Sequence, residues 1–262
     1  MSKEIFIAGG CSFTFGSELE ERNQSWSYRL YEQSKAKNYV STARPGSSNS
    51  GIARRVFQEV SNHKPEDIKC VAIMWSFYSR YDWAMPEHKE LEDRRWTSIT
   101  PWDTNISNAE RNNALVGSQA EKELWKNRED SMRDTGVKPL ADAIYRHASN
   151  PYHEIYLSWK SIIWLQNILE KKKIPFIFTL ADNSLFYKDF EQHKEQDKLM
   201  EALHSEMNFG NWFSFGDRMM GFNQWASLNE YKYATTHPLD EAHNDAVKLM
   251  MSTFNKLTKG KI

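Results

Sequence analysis

The sequence predicts an α/β fold: a three-layer sandwich with a parallel central sheet flanked by helices. Three observations carry this. Short continuous apolar runs recur at Ile5–Ala8, Cys70–Met74 and Pro175–Leu180, as expected of strands buried on both faces. Longer segments with apolar residues at helical spacing alternate with them. Gly- and Ser-rich turns follow the first two strands, on the edge of a parallel sheet where ligands bind.

Taken in order, Ile5–Ala8 reads as the first strand and runs straight into Gly9-Gly10-Cys11-Ser12-Phe13-Thr14. Trp26–Lys35 reads as a helix and Tyr39–Ala43 as the second strand. A Pro45-Gly46-Ser47-Ser48-Asn49 loop follows, with Asn49 or Ser50 expected to cap a helix over Ile52–His63. Cys70–Met74 is the third strand, and Glu154–Lys173, with Ile155, Trp159, Ile162 and Leu169, is the strongest helix. Proline is confined to the start of the strand at 175–180. Asp240 is expected as the N-cap of a closing helix that ends near Leu257. Between residues 81 and 150 the pattern breaks into polar sequence with scattered Trp83, Trp96, Trp102 and Trp125. The chain is read as one domain over residues 1–262, with 81–150 a large, mostly helical or irregular insertion, a lid over the carboxyl edge of the sheet.

Composition narrows the function. The 262 residues carry 34 basic and 35 acidic side chains, a net charge of −1. No global field draws nucleic acid or an anionic membrane, and no apolar run reaches the roughly 20 residues of a membrane span. The N-terminus has no secretory h-region, and two cysteines, Cys11 and Cys70, fit a reduced, cytoplasmic setting. His63, His88, His147, His153, His193 and His204 are too dispersed for a metal site. No cofactor is expected. Arg54-Arg55, Arg80 and Arg94-Arg95 have the chemistry to hold a carboxylate or phosphate, although paired arginines are more often solvated surface.

The chemistry points to Ser12. A turn leaving a buried strand exposes a small nucleophile, and the flanking glycines allow the tight path. The spacing is neither a G-x-S-x-G elbow nor a phosphate loop. Two further blocks stand with it, Ala43-Arg44-Pro45-Gly46-Ser47-Ser48-Asn49 and His237-Pro238-Leu239-Asp240-Glu241-Ala242-His243. Together the three resemble, in order, the blocks of the SGNH (GDSL-like) hydrolase family, of which the chain looks like a divergent member. The resemblance implies the SGNH, flavodoxin-like form of the sandwich. It makes Ser12 the nucleophile, Gly46 an oxyanion glycine and His237 the base, and His243 a supporting residue.

The chain also departs from the family's pattern. Cys11 replaces the Asp before the serine, and Ala234 stands where the acid three residues before the histidine belongs. No Asn-Asp block follows Met74. Oxyanion donors would then be the N–H groups of Ser12 and Gly46, with Asn49 or Ser76 standing in for the missing asparagine. The base would work in a Ser12–His237 dyad, or in an incomplete triad oriented by a carbonyl or another acid. Asp240 and His243 form a literal Asp-x-x-His and remain an alternative pair, as Cys11 remains an alternative nucleophile. The expected activity is hydrolysis of an ester, small-molecule or carbohydrate, with a carbohydrate O-acetyl group among the substrates. The competing classes are a catalytically silent ligand- or carbohydrate-binding protein on this fold, and transfer to an acceptor other than water.

Overall fold

Five residues of near-complete burial, Ile5–Gly9, form β1, and the eight buried residues Ile68–Trp75 form β3 beside it. The structure, a computed structural model, describes residues 4–85, 96–104, 136–187 and 197–259. β2 (Asn38–Ser41) lies on the other side of β1, and a strand at Phe176–Leu180, β6, completes a four-stranded parallel sheet in the order β2-β1-β3-β6. The chain thus leaves β1 first to one side and later to the other. That reversal opens a crevice at the carboxyl ends of β1 and β3, where open α/β sheets bind ligands.

Strand alternation sorts the core into two layers. Ile5, Ile7, Val71, Ile73, Phe176 and Phe178 face α3 (Asn49–Ser61) and α5 (Pro151–Lys171). Phe6, Ala8, Cys70, Ala72, Met74 and Ile177 face α2 (Trp26–Ser34), α8 (Phe222–Leu228) and α9 (Asp240–Thr258). The expected three-layer arrangement is therefore present. The remaining helices are the single turn α1 (Ser12–Phe15), α4 (Val137–Ala143), α6 (Ser184–Tyr187) and α7 (Lys198–Ser205).

Two expected caps differ. α3 begins at Asn49 because the Ser48 side chain accepts the Gly51 N–H at 3.1 Å, so Ser48 is the cap and neither Asn49 nor Ser50 is. Asp240 is the first residue of α9, preceded by Leu239, and its carboxylate pairs with Arg29 of α2 instead of capping.

The segment 81–150 also departs from expectation in its described part. It opens with an antiparallel pair, β4 (Tyr81–Ala84) and β5 (Trp96–Ile99), in register from Tyr81–Ile99 to Ala84–Trp96. Arg54 of α3 grips Asp82 of β4 through Nε and Nη2, at 2.9 and 3.3 Å, and lies over the Trp96 ring. Buried charge pairing and cation–π contact thus dock this pair onto α3. Met85, Ile99, Val137, Ala141 and Ile144 form a small core of their own. The described part of this segment is therefore part strand, with α4 as its α-helix. Trp125, His88, His193 and Arg94-Arg95 lie outside the described residues. Among the described residues, no helix is long and apolar enough to cross a membrane.

Candidate active site

Gly10 makes the turn out of β1. A Cβ there would meet Thr14 Oγ1 at 2.0 Å, so only glycine lets the first turn of α1 fold back so closely. The turn leaves Cys11 fully buried among the residues facing α2 and α9, and puts Ser12 at the first position of α1. There its N–H has no carbonyl to bond within the helix. Ser12, not Cys11, meets the imidazole: His237 Nε2 lies 2.7 Å from Ser12 Oγ. The chain separates these residues by 225 positions, and the Phe13 ring packs against the imidazole at 4.7 Å.

His237 sits in a narrow return of the chain. Its carbonyl accepts the Ala234 N–H at 3.0 Å, Tyr233 and Pro238 bridge as antiparallel partners, and Leu239 N–H donates to Lys232 at 2.9 Å. The acid absent from position 234 is supplied from elsewhere. Glu18, six residues beyond Ser12, lies with Oε2 at 3.1 Å from His237 Nδ1. The same carboxylate accepts the backbone N–H groups of Thr236 at 2.9 Å and His237 at 3.0 Å, and the Thr236 hydroxyl at 3.3 Å. Glu18 reaches this position in a left-handed conformation, φ 67°, which costs a non-glycine residue about 1–2 kcal/mol. The donors converging on its carboxylate offset that cost.

This geometry fixes the protonation pattern. Burial alone would raise the Glu18 carboxyl, but hydrogen bonds from His237 and Thr236 and the charge of the imidazole outweigh it and hold it at about 2. An ionised carboxylate only accepts, so the proton facing it belongs to His237 Nδ1. Nε2 is then a lone-pair acceptor aimed at the Ser12 hydroxyl. Ser12, His237 and Glu18 thus stand each within hydrogen-bond reach of the next, an arrangement with the chemistry that a nucleophile, a base and an orienting acid require.

The other expected residues fall into two groups. Gly46 lies, at φ 74°, in the loop after β2, tied to the turn at β1 because Arg44 N–H donates to Gly10 C=O at 3.3 Å. Thr100, directly after β5, lies next to it. Asn49 is buried and fully engaged. Its Nδ2 donates to Ser76 C=O and Ser158 Oγ, both at 3.1 Å, and its Oδ1 accepts Ser76 N–H at 2.7 Å. In this arrangement Asn49 has no N–H left for an oxyanion; it ties the start of α3 to the exit of β3. Ser76 follows β3 directly, and its hydroxyl lies 2.7 Å from Arg80 Nη1.

His243 and Asp240 do not pair. Asp240 goes to Arg29, while His243, 1% exposed, accepts the Trp26 N–H through Nδ1 at 3.1 Å. Burial, then the charges of His237 and Arg29, push the His243 imidazole down to about 3 against an opposing hydrogen bond with the Pro238 backbone. It is a neutral strut between α2 and the His237 loop. Below pH 6.5 the unfolded chain binds a proton here that the folded chain refuses, so stability falls as pH drops from 6.5 toward 3. The slope is about 1.4 kcal/mol per pH unit, so roughly 2 kcal/mol is lost near pH 5. His243→Asn keeps an acceptor for Trp26 and removes the titration. Its Tm should therefore fall less steeply on acidification than the wild-type Tm, and parallel profiles would exclude His243 as the source.

Sequence reasoning missed Glu18. The available signal was Gly16, a left-handed C-cap that ends α1 after one turn and sends the acidic run Glu18-Leu19-Glu20-Glu21 back past the serine. Arg54 and Arg55, read as solvated, are both engaged. Arg54 holds Asp82, while Arg55 is buried, donating to Thr42 C=O at 2.9 Å and to Ser47 Oγ. Among the described residues, no three His, Cys, Asp or Glu side chains stand together as a metal site.

No family model matches the chain, and no curated protein does. Solved structures do. The psychrotrophic esterase EstA from Pseudoalteromonas sp. is 10% identical over 97% of each chain, with a TM-score of 0.45. A lipolytic protein of the G-D-S-L family from Veillonella parvula is 11% identical over 97% of this chain and 100% of its own, at 0.47. A two-domain esterase active on acetylated mannans is 11% identical over 98% of this chain and 49% of its own, at 0.44. These three solved structures, two esterases and a G-D-S-L family protein, are each similar to this chain over nearly all of its length.

Proposed function

We propose that the protein is a serine hydrolase that cleaves carboxylic esters, with Ser12 as nucleophile, His237 as general base and Glu18 as the acid that orients it. The observation that carries this reading is the unbroken relay from Ser12 Oγ through His237 to Glu18, at 2.7 and 3.1 Å. As Ser12 Oγ attacks the ester carbonyl, its proton passes to His237 Nε2. The tetrahedral intermediate expels the alcohol, which takes that proton. Water then repeats the sequence on the acyl-enzyme, releasing the acid and restoring Ser12. The Ser12 and Gly46 N–H groups are the proposed oxyanion donors, each worth about 2.7–4 kcal/mol of barrier in such sites.

Acetyl esters, including O-acetylated carbohydrates, are the first substrates to screen, because β4, which Arg54 of α3 holds through Asp82, carries the exposed Trp83 and indole faces stack on sugars. The two free, buried cysteines fit a cytoplasmic setting. Covalent labelling with a fluorophosphonate tests the reading. A single adduct on Ser12, lost in Ser12→Ala and His237→Ala, is expected. No adduct together with no hydrolysis of a short acetyl ester would leave a ligand-binding protein on the same fold.

A further inference from the structure

Arg80 stands at the crevice between β1 and β3 with no role in the relay. Gly9 pairs with Ile73, and a Cβ on Gly10 would lie 3.2 Å from the Met74 carbonyl, so the turn that carries Ser12 leaves the sheet beside the end of β3, which Ser76 follows. Arg80 is anchored between the two loops that flank this exit. Its Nη1 donates to Ser76 Oγ at 2.7 Å and to Ser47 C=O at 3.5 Å, and its guanidinium lies over Phe77 at 4.7 Å. Phe77 in turn packs against Phe13, the residue whose ring meets His237.

Both of these hydrogen bonds use Nη1. The side-on edge, Nε–H and Nη2–H, has no protein acceptor among the described residues, and no carboxylate of those residues lies in ion-pair range of Arg80. The nearby acids are engaged elsewhere: Glu154 accepts from Tyr81 and Ser149, and Asp103 from Thr100. Contrast Arg54 on the same side of the fold, whose Nε and Nη2 close on Asp82. A half-buried guanidinium, fixed at one end and offering its fork at the other, is shaped for bidentate recognition of a carboxylate.

From this we infer that Arg80 selects the substrate: the ester cleaved at Ser12 carries a free carboxylate, which docks on Nε and Nη2. The inference rests on the hydrolytic reading of Ser12. It is tested with matched pairs that place the carboxylate on either side of the scissile bond. Mono-p-nitrophenyl glutarate is compared with p-nitrophenyl valerate, and m-acetoxybenzoate with its methyl ester.

In at least one pair the charged member should have the higher kcat/KM, by about 10-fold or more, the size of a lost charged hydrogen bond. Arg80→Gln should bring that ratio close to one. Arg80→Lys, which keeps the charge and a donor for Ser76 but not the fork, should give an intermediate ratio. Equal ratios in wild type and Arg80→Gln, or no preference in either pair, overturn the inference. If fluorophosphonate labelling and all four esters fail in the wild type, the hydrolytic reading fails by itself. Calorimetric titration with glutarate and m-hydroxybenzoate then decides the Arg80 site. Binding that Arg80→Gln abolishes sustains the carboxylate site, and no binding removes it.

Discussion

Ser12→Ala is expected to lower kcat for p-nitrophenyl acetate about 10⁶-fold, the loss seen when the nucleophile of a serine relay is removed. That corresponds to roughly 8 kcal/mol of barrier. The fold should not register the change. Ser12 makes one side-chain hydrogen bond, to His237, and at the first position of α1 alanine is as good a helix residue as serine. His237→Ala should cost about as much, since a nucleophile without its base and a base without its nucleophile are equally idle. The double variant should then be no slower than either single one, because the two side chains act as a unit. Additive losses, or residual activity within about tenfold of wild type for either variant, would place the chemistry elsewhere on the sheet edge.

The sequence made the scaffold legible where burial dominates. The strands β1, β3 and β6 are apolar on both faces, so their composition alone marks them, and the helices that cover them carry apolar residues at regular spacing. The Ser12, Gly46 and His237 blocks stood out as well, since each lies in a loop marked by glycines or proline, and the structure brings Ser12 and His237 within 2.7 Å. Glu18 did not stand out. Glu18 is one of three carboxylates in a four-residue acidic stretch, and what distinguishes it is a backbone turned to φ 67° by contacts with residues more than 200 positions away. Asn49 misled for the complementary reason. An asparagine near an oxyanion glycine reads as a donor, and only the fold shows both amide hydrogens on Ser76 and Ser158. The β4–β5 pair was hidden by Asp82. A carboxylate in a short strand argues against burial until Arg54, 28 residues earlier, is seen to neutralise it.

Glu18→Gln separates charge from packing. One oxygen, Oε2, accepts the Thr236 and His237 amides and faces Nδ1, so a glutamine oxygen in its place keeps the His237 loop and the Nδ1 proton, and Tm should change little at neutral pH. The amide nitrogen then takes the place of Oε1, beside the Thr236 hydroxyl. What is lost is the negative charge that stabilises the imidazolium formed as Ser12 gives up its proton. The expected loss is about 10- to 100-fold in kcat, the size of a charged hydrogen bond made neutral, with KM nearly unchanged. A purely structural role for Glu18 would instead move Tm and KM together. A second consequence appears in acid. The folded carboxyl, at about 2, lies below its unfolded value of 4.5, so Glu18 stabilises the protein above pH 4.5 and that contribution fades as pH falls toward 2. Glutamine does not titrate. The variant's stability should therefore lose that part of its acid dependence while its catalytic defect persists at every pH. A loss of less than about tenfold in kcat would mean that the carboxylate charge contributes little to the reaction, and that Ser12 and His237 work as a dyad.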